Sequence, residues 1–130
     1  MKKQTLTQTK INAWKHFSLW YRQSKADAQG YITCYTCGIK KHFKEMQTGH
    51  WVTGHSNATY INEDYVRPQC TKCNIMKHGE QGIFRDLIRQ ELGDETVNEL
   101  LRIAEQPVKI TLADYRELGK FYKERLQSLS

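Results

Sequence analysis

The sequence predicts an α+β fold, with short strands gathered around a cysteine-tied centre and helices on either side of it. Two observations carry this. The four cysteines form two Cys-x-x-Cys pairs, Cys34/Cys37 and Cys70/Cys73, in a stretch of short strand-like segments. Outside that stretch, apolar residues recur at three- and four-residue steps, the period of an amphipathic helix.

The first helix is expected over 9–29. Ile11, Trp14, Phe17, Trp20 or Tyr21, and Ala28 mark its apolar face, with Thr9 as N-cap and Gly30 as the stop. A strand over 31–33 leads into the first cysteine pair. A second strand is expected over 42–52, anchored by Phe43, Met46 and Trp51. A third lies within 60–69, where Pro68 marks an end or an edge position. A helix then runs over 71–78, broken by Gly79 and Gly82. The remainder is helical: 83–92 ending at Gly93, 94–106 with Val97, Leu100, Leu101 and Ala104 on one face, and a last helix to Leu129. Thr111 and Asp114 are spaced as a capping box for that helix. Its stripe of Leu112, Tyr115, Leu118, Tyr122 and Leu126 suits packing within the chain or a second copy. Three regions follow: an N-terminal helix (1–30), a cysteine-bound core (31–82) and a C-terminal helical part (83–130).

Composition narrows the chemistry. Of 130 residues, 38% are apolar and the mean hydropathy is -0.74, little for a core that must stand alone. Small proteins of this kind add a metal or a second copy. A net charge of +6 and a pI near 9.2 favour an anionic partner, nucleic acid first. Lys2 and Lys3 precede polar residues, so no secretory signal is expected, and no apolar run has the roughly 18 residues of a membrane span. In the reducing cytoplasm this implies, paired Cys-x-x-Cys units bind Zn²⁺ rather than form disulfides. Four thiolates fill a tetrahedral ion and leave no open position, so the zinc is structural.

Between the pairs lie 32 residues, room for a hairpin between the two knuckles. It carries His50 at the end of one strand and Asn62 at the start of the next, with Asn74 at the following helix. Strand, strand and helix folded over the zinc bring these evenly spaced positions together. Such a unit suits phosphodiester cleavage. A histidine near neutral pKa takes a proton from water. A helix side chain holds a divalent ion at the leaving oxygen, and an asparagine orients the histidine through its other ring nitrogen. Taken singly, each residue has a plainer reading as a surface histidine or a turn-forming asparagine. Lys40, Lys41, His42, Lys72 and Lys77 cluster around the knuckles, where they can neutralise phosphates or simply form a solvated face.

The cysteine pairs together with Gly49-His50, Asn62 and Cys73-Asn74 resemble the HNH, or His-Me finger, nuclease superfamily. More closely, the run GHW…YINEDYVRPQCTKCNIMKHG followed by LIRQELGDETVNEL resembles the phage NinG family, also called Rap, from about residue 11 nearly to the C-terminus. The resemblance implies a zinc-stabilised ββα-metal core with an N-terminal helix and C-terminal helices. It implies a metal-dependent, structure-selective endonuclease of branched DNA, including Holliday junctions, in phage recombination within a bacterial host. Mg²⁺ or Mn²⁺ is the expected ion, and because cutting both arms of a symmetric junction needs two active sites, a homodimer joined through the C-terminal helices is expected. By position, His50 matches the general base, Asn62 the residue that orients it, and Asn74 the metal-binding residue. Many HNH nucleases carry Asp or His just before the base as a metal ligand, whereas this chain has Gly49. His78, one helical turn beyond Asn74, is a candidate replacement, with His55 and Asp64 as further ones. Two alternatives stand beside this: a non-catalytic zinc module that binds DNA or a recombination partner, and an HNH enzyme that nicks ordinary duplex.

Overall fold

The computed structural model describes residues 5–52 and 57–129. Its first helix, α1 (Leu6–Lys25), starts earlier than the apolar stripe suggests. Thr5 Oγ1 accepts from the Gln8 backbone N–H while Gln8 Oε1 accepts from Thr5, both at 3.1 Å, a complete capping box. Thr9, expected as the cap, is buried inside the helix and donates its hydroxyl to the Thr5 carbonyl at 2.9 Å. The helix also ends before Gly30. Asp27 Oδ1 accepts backbone N–H groups from Gln29 and Tyr31, offering the chain a turn in place of another helical repeat. Ala28 therefore falls outside the helix, and Gly30 (φ +87°) serves the turn into β1.

Strands β1 (Tyr31–Thr33) and β2 (Lys40–His42) pair antiparallel, Tyr31 opposite His42. Strands β3 (Met46–His50) and β4 (Val66–Cys70) form a second antiparallel pair, Met46 opposite Cys70 and His50 opposite Val66. The single strand expected over 42–52 is thus two strands in two sheets. A 3₁₀ turn over Phe43–Glu45 separates them, begun by His42 Nδ1 accepting from Lys44 N–H at 3.2 Å. The 60–69 segment is likewise mostly turn: a short helix α2 (Asn57–Tyr60), a 3₁₀ turn over Glu63–Tyr65, and only then β4. Pro68 sits within β4 opposite Thr48, where a two-stranded sheet leaves the strand's other side without a ladder.

The helix expected over 71–78 is one wide π turn, Lys72–Met76, closed by His78 (φ 52°) and Gly79 (φ 84°) in the left-handed region. Gly82, expected as a breaker, lies inside α3 (Gln81–Leu92), which ends at Gly93. Helix α4 (Asp94–Ala104) follows. Helix α5 (Leu112–Gln127) begins with the Thr111/Asp114 capping box anticipated from the sequence.

Three apolar clusters hold these elements. Ile32, Phe43 and Met46 pack around Cys34, Cys70 and Cys73. Trp51 and Tyr65 join Phe84, Ile88 and Val97 of α3 and α4. Phe17, Trp20 and Tyr21 of α1 pack with Val66 and Tyr122 of α5. Helix α1 lies along α5, closely where Ala13 faces Gly119, and the α5 stripe is used there. The face offered to a second copy is covered by the chain's own first helix. Ile11, placed on the buried stripe by its spacing, is instead 46% exposed.

Candidate functional site

The four cysteine sulfurs come from two turns brought together by the sheets. Gly38, at φ +81°, lets the first knuckle reverse, with its N–H on the Cys34 carbonyl at 2.9 Å. The second knuckle is the passage from β4 into the π turn, where Cys73 N–H points at Cys70 Sγ at 3.5 Å. All four Sγ atoms lie within 4.8 Å of one another, and Cys37 and Cys70 are 3.7 Å apart. A tetrahedral ion with Zn–S bonds of about 2.3 Å sets its sulfurs roughly 3.8 Å apart, so the donor set fits zinc in number, softness and spacing. Burial pushes the Cys34 thiol up, but hydrogen bonds from Thr36 and from backbone N–H groups outweigh it and bring it to about 6. Burial and the neighbouring thiols instead hold Cys73 at about 12. Cys34, Cys70 and Cys73 are buried and Cys37 is exposed.

On the opposite end of β3, His50 is clamped. Its ring stacks on Trp14 of α1 (centroids 5.2 Å apart, planes at 22°), and Trp14 stacks in turn on Tyr60 at 5.0 Å. His50 Nε2 lies 2.9 Å from the Tyr60 carbonyl oxygen. A carbonyl only accepts, so Nε2 carries the proton and Nδ1 is left with the lone pair. Burial lowers the His50 pKa from 6.5, opposed by the carbonyls of Tyr60 and Thr59, which favours the neutral, proton-accepting ring. Gln81 Nε2 fixes the strand end by donating to the His50 carbonyl at 3.1 Å.

Gly49, the strand residue before this histidine, is the point that Asn74 of the π turn approaches. A Cβ on residue 49 would stand 2.0 Å from Gln69 Oε1 and 3.1 Å from Asn74 Oδ1. Both amide oxygens therefore face the strand residue directly before His50. Gln69 is fully buried, and its Nε2 donates to Thr36 Oγ1 (3.0 Å) and to the Gly79 carbonyl (2.9 Å). Its Oε1, like Gln81 Oε1, is buried with no hydrogen-bond partner among the described residues.

The structure thus places Asn74 Oδ1 beside Gly49, the residue before His50, and places Asn62 differently from expectation. Asn62 Oδ1 accepts from Asp64 N–H at 3.0 Å and its Nδ2 donates to the Ala58 carbonyl at 3.3 Å. It closes the loop that carries Tyr60, and the Tyr60 carbonyl, rather than the Asn62 side chain, accepts the hydrogen bond from the histidine N–H. His78 does not share a helix face with Asn74, because the π turn has ended and the chain is left-handed there; its side chain is exposed. Asp64 is exposed in the 3₁₀ turn, and its carbonyl accepts from Trp51 Nε1 at 2.9 Å. His55 lies outside the described residues.

Of the basic residues, Lys40 pairs with Asp27 at 3.2 Å and Lys77 with Glu80 at 3.4 Å, both at the surface, where such pairs exchange readily for other anions. Lys72 is exposed on the π turn. Lys41 and His42 are half-buried, and His42 stacks on Phe43 at 4.5 Å. Trp14, Tyr60, Gln69 and Gln81 are site residues that sequence reading misses. Gln69 alone left a trace, as a polar residue in a strand position directly before a zinc-type cysteine. Its helical spacing assigns Trp14 to the apolar face, and its stack on His50 depends on where α1 crosses β3.

No helix among the described residues is long and apolar enough to cross a membrane. No curated protein and no solved structure matches the chain. Residues 2–130 match the family model of the bacteriophage lambda NinG protein, and over that length the chain belongs to the NinG family.

Proposed function

We propose that this chain is a metal-dependent endonuclease selective for branched DNA, acting in phage recombination, with His50 as its general base. The observation that carries the reading is the His50 clamp. Trp14 fixes the ring plane, the Tyr60 carbonyl fixes the tautomer, and burial keeps the ring neutral, so Nδ1 is held ready to take a proton from water. Membership of the NinG family and the antiparallel β3–β4 pair running into the π turn support the ββα-metal comparison.

Asn74 Oδ1, on the turn beside Gly49, is the side chain that would hold a Mg²⁺ or Mn²⁺ ion, since amide oxygens suit such hard cations. Bound there, the ion supplies charge stabilisation at the leaving oxygen of the phosphodiester. His50 takes the proton from the attacking water, and the Asn62-closed loop keeps the Tyr60 carbonyl in place behind it. The zinc cysteines hold the second knuckle, and with it Asn74, against β3. The exposed lysines 40, 72 and 77 lie where they can neutralise DNA phosphates, with Lys41 and His42 beside them. No base-reading motif stands out, which favours recognition by branch shape. Two cuts on a symmetric junction need two active sites, so the working form is a homodimer, built through a surface other than the α1–α5 seam.

Incubating the zinc-loaded protein with a labelled four-way junction and with linear duplex, in Mg²⁺ or in EDTA, tests this. Junction cleavage that needs Mg²⁺ and disappears in His50→Ala is the expected result. An intact junction that the protein still binds would leave a zinc-dependent DNA-binding module instead. Equal cutting of both substrates would make it a duplex-nicking enzyme.

A further inference from the structure

The feature least explained by that reading is the pair of residues at the position preceding the base. Residue 49 is a glycine, which removes the carboxylate or imidazole that would otherwise help hold the ion. Gln69 occupies the space instead. Its amide cannot be turned the other way without loss, because Nε2 meets the Gly79 carbonyl, which accepts only a donor, and Thr36 Oγ1. Oε1 is therefore directed at Gly49, fully buried and without a hydrogen-bond partner among the described residues. Asn74 Oδ1 faces the same point. Two amide oxygens thus face the same strand residue, and the buried one, Gln69 Oε1, is an acceptor left unmade among the described residues, which is destabilising unless something positive meets it.

Building on the nuclease reading, we infer that Gln69 Oε1 and Asn74 Oδ1 together bind the divalent cation, with Gln69 replacing the side chain that Gly49 lacks. Glycine at 49 is then a requirement of the design, since any Cβ there collides with the glutamine ligand at 2.0 Å. The chemistry of the set has a consequence for selectivity. Both oxygens are hard and uncharged, so the site favours Mg²⁺ or Mn²⁺ over the softer zinc and binds the ion weakly until a DNA phosphate adds negative charge.

The test reads metal binding rather than activity. Free Mn²⁺ is followed by electron paramagnetic resonance as it is titrated into the zinc-loaded full chain. Zinc content and circular dichroism confirm that each variant is folded. Gln69→Glu puts a carboxylate at the proposed ligand and is expected to tighten Mn²⁺ binding about tenfold or more, while Asn74→Ala weakens it by a similar factor. Should Gln69→Glu not fold, Gly49→Asp combined with Gln69→Ala moves the carboxylate to the strand and is expected to bind Mn²⁺ more tightly than Gln69→Ala alone. Unchanged Mn²⁺ affinity in the folded Gln69→Glu variant, or in the double variant relative to Gln69→Ala, overturns the inference and makes Gln69 a packing residue. The two readings fail separately. Mn²⁺ binding that follows residues 69 and 74 in a protein that cuts nothing removes the nuclease. Junction cleavage with Mn²⁺ affinity indifferent to residue 69 removes only this ligand assignment.

Discussion

Gly49→Ala should be far more damaging than a methyl group at an ordinary strand position. The new Cβ would lie 2.0 Å from Gln69 Oε1 and 2.8 Å from the carbon that bears it, so the glutamine must move. A long side chain at the surface would yield cheaply. Gln69 is fully enclosed, and moving its amide breaks the bonds to Thr36 Oγ1 and the Gly79 carbonyl. Overpacking a tight interior costs about 1–3 kcal/mol, and a buried polar group left without its partner costs about 1–3 kcal/mol. These overlap, so a loss of about 2–4 kcal/mol is expected, a large part of the roughly 5–15 kcal/mol by which domains of this size are stable. Urea unfolding followed by tryptophan fluorescence, with zinc present throughout, should show the midpoint fall by about 1–2 M without a change in slope. The control is the same substitution made in a Gln69→Ala background, where the obstructing atoms are gone and the added cost should drop below about 0.5 kcal/mol. A Gly49→Ala protein as stable as wild type, or one equally destabilised in both backgrounds, would refute the close-approach argument.

Further outcomes follow from the same geometry. Removing zinc with a chelator should expose the Ile32, Phe43 and Met46 cluster and unfold the core cooperatively. The purified protein should contain one zinc per chain, and an unfolding transition unchanged by chelation would show that the cysteines bear no metal. The His50 pKa is lowered in the folded state, so the unfolded chain takes up the proton first as the medium is acidified. Stability is complete above pH 6.5 and declines as pH falls below it towards the folded-state value. Subtracting the profile of a His50→Gln variant isolates this from thiol protonation, and two parallel profiles would contradict the burial. Thr111→Ala removes the side chain that accepts the Asp114 N–H at 3.1 Å and should cost about 1 kcal/mol in urea unfolding. A change near zero would mean that α5 is held entirely by its packing on α1.

Some local signals were legible, although the equally local Thr5/Gln8 capping box that starts α1 was missed. The α5 start needs only Thr111 and Asp114 three residues apart, and Cys-x-x-Cys spacing needs only a turn closed by Gly38. Errors fell where a polar side chain chose between two backbone partners. Asp27 ends α1 early, His42 breaks a strand into two, and Asn62 starts a turn where a strand was expected. Each side chain competes with regular hydrogen bonding in a way that residue type permits but does not decide.

For the site, the chain alone supplied the chemical groups: four thiolates in two pairs that could hold zinc, a histidine following a glycine, and an asparagine following the last cysteine. Tertiary structure decided which of these meet. The crossing of α1 over β3 set Trp14 on His50, and the pairing of β3 with β4 drove Gln69 into the space above Gly49. The width of the π turn aimed Asn74 there and left His78 outside. Those contacts join residues far apart in sequence, through the register of one sheet and the angle of one helix. No spacing rule encodes either, because both are settled by how the three apolar clusters close.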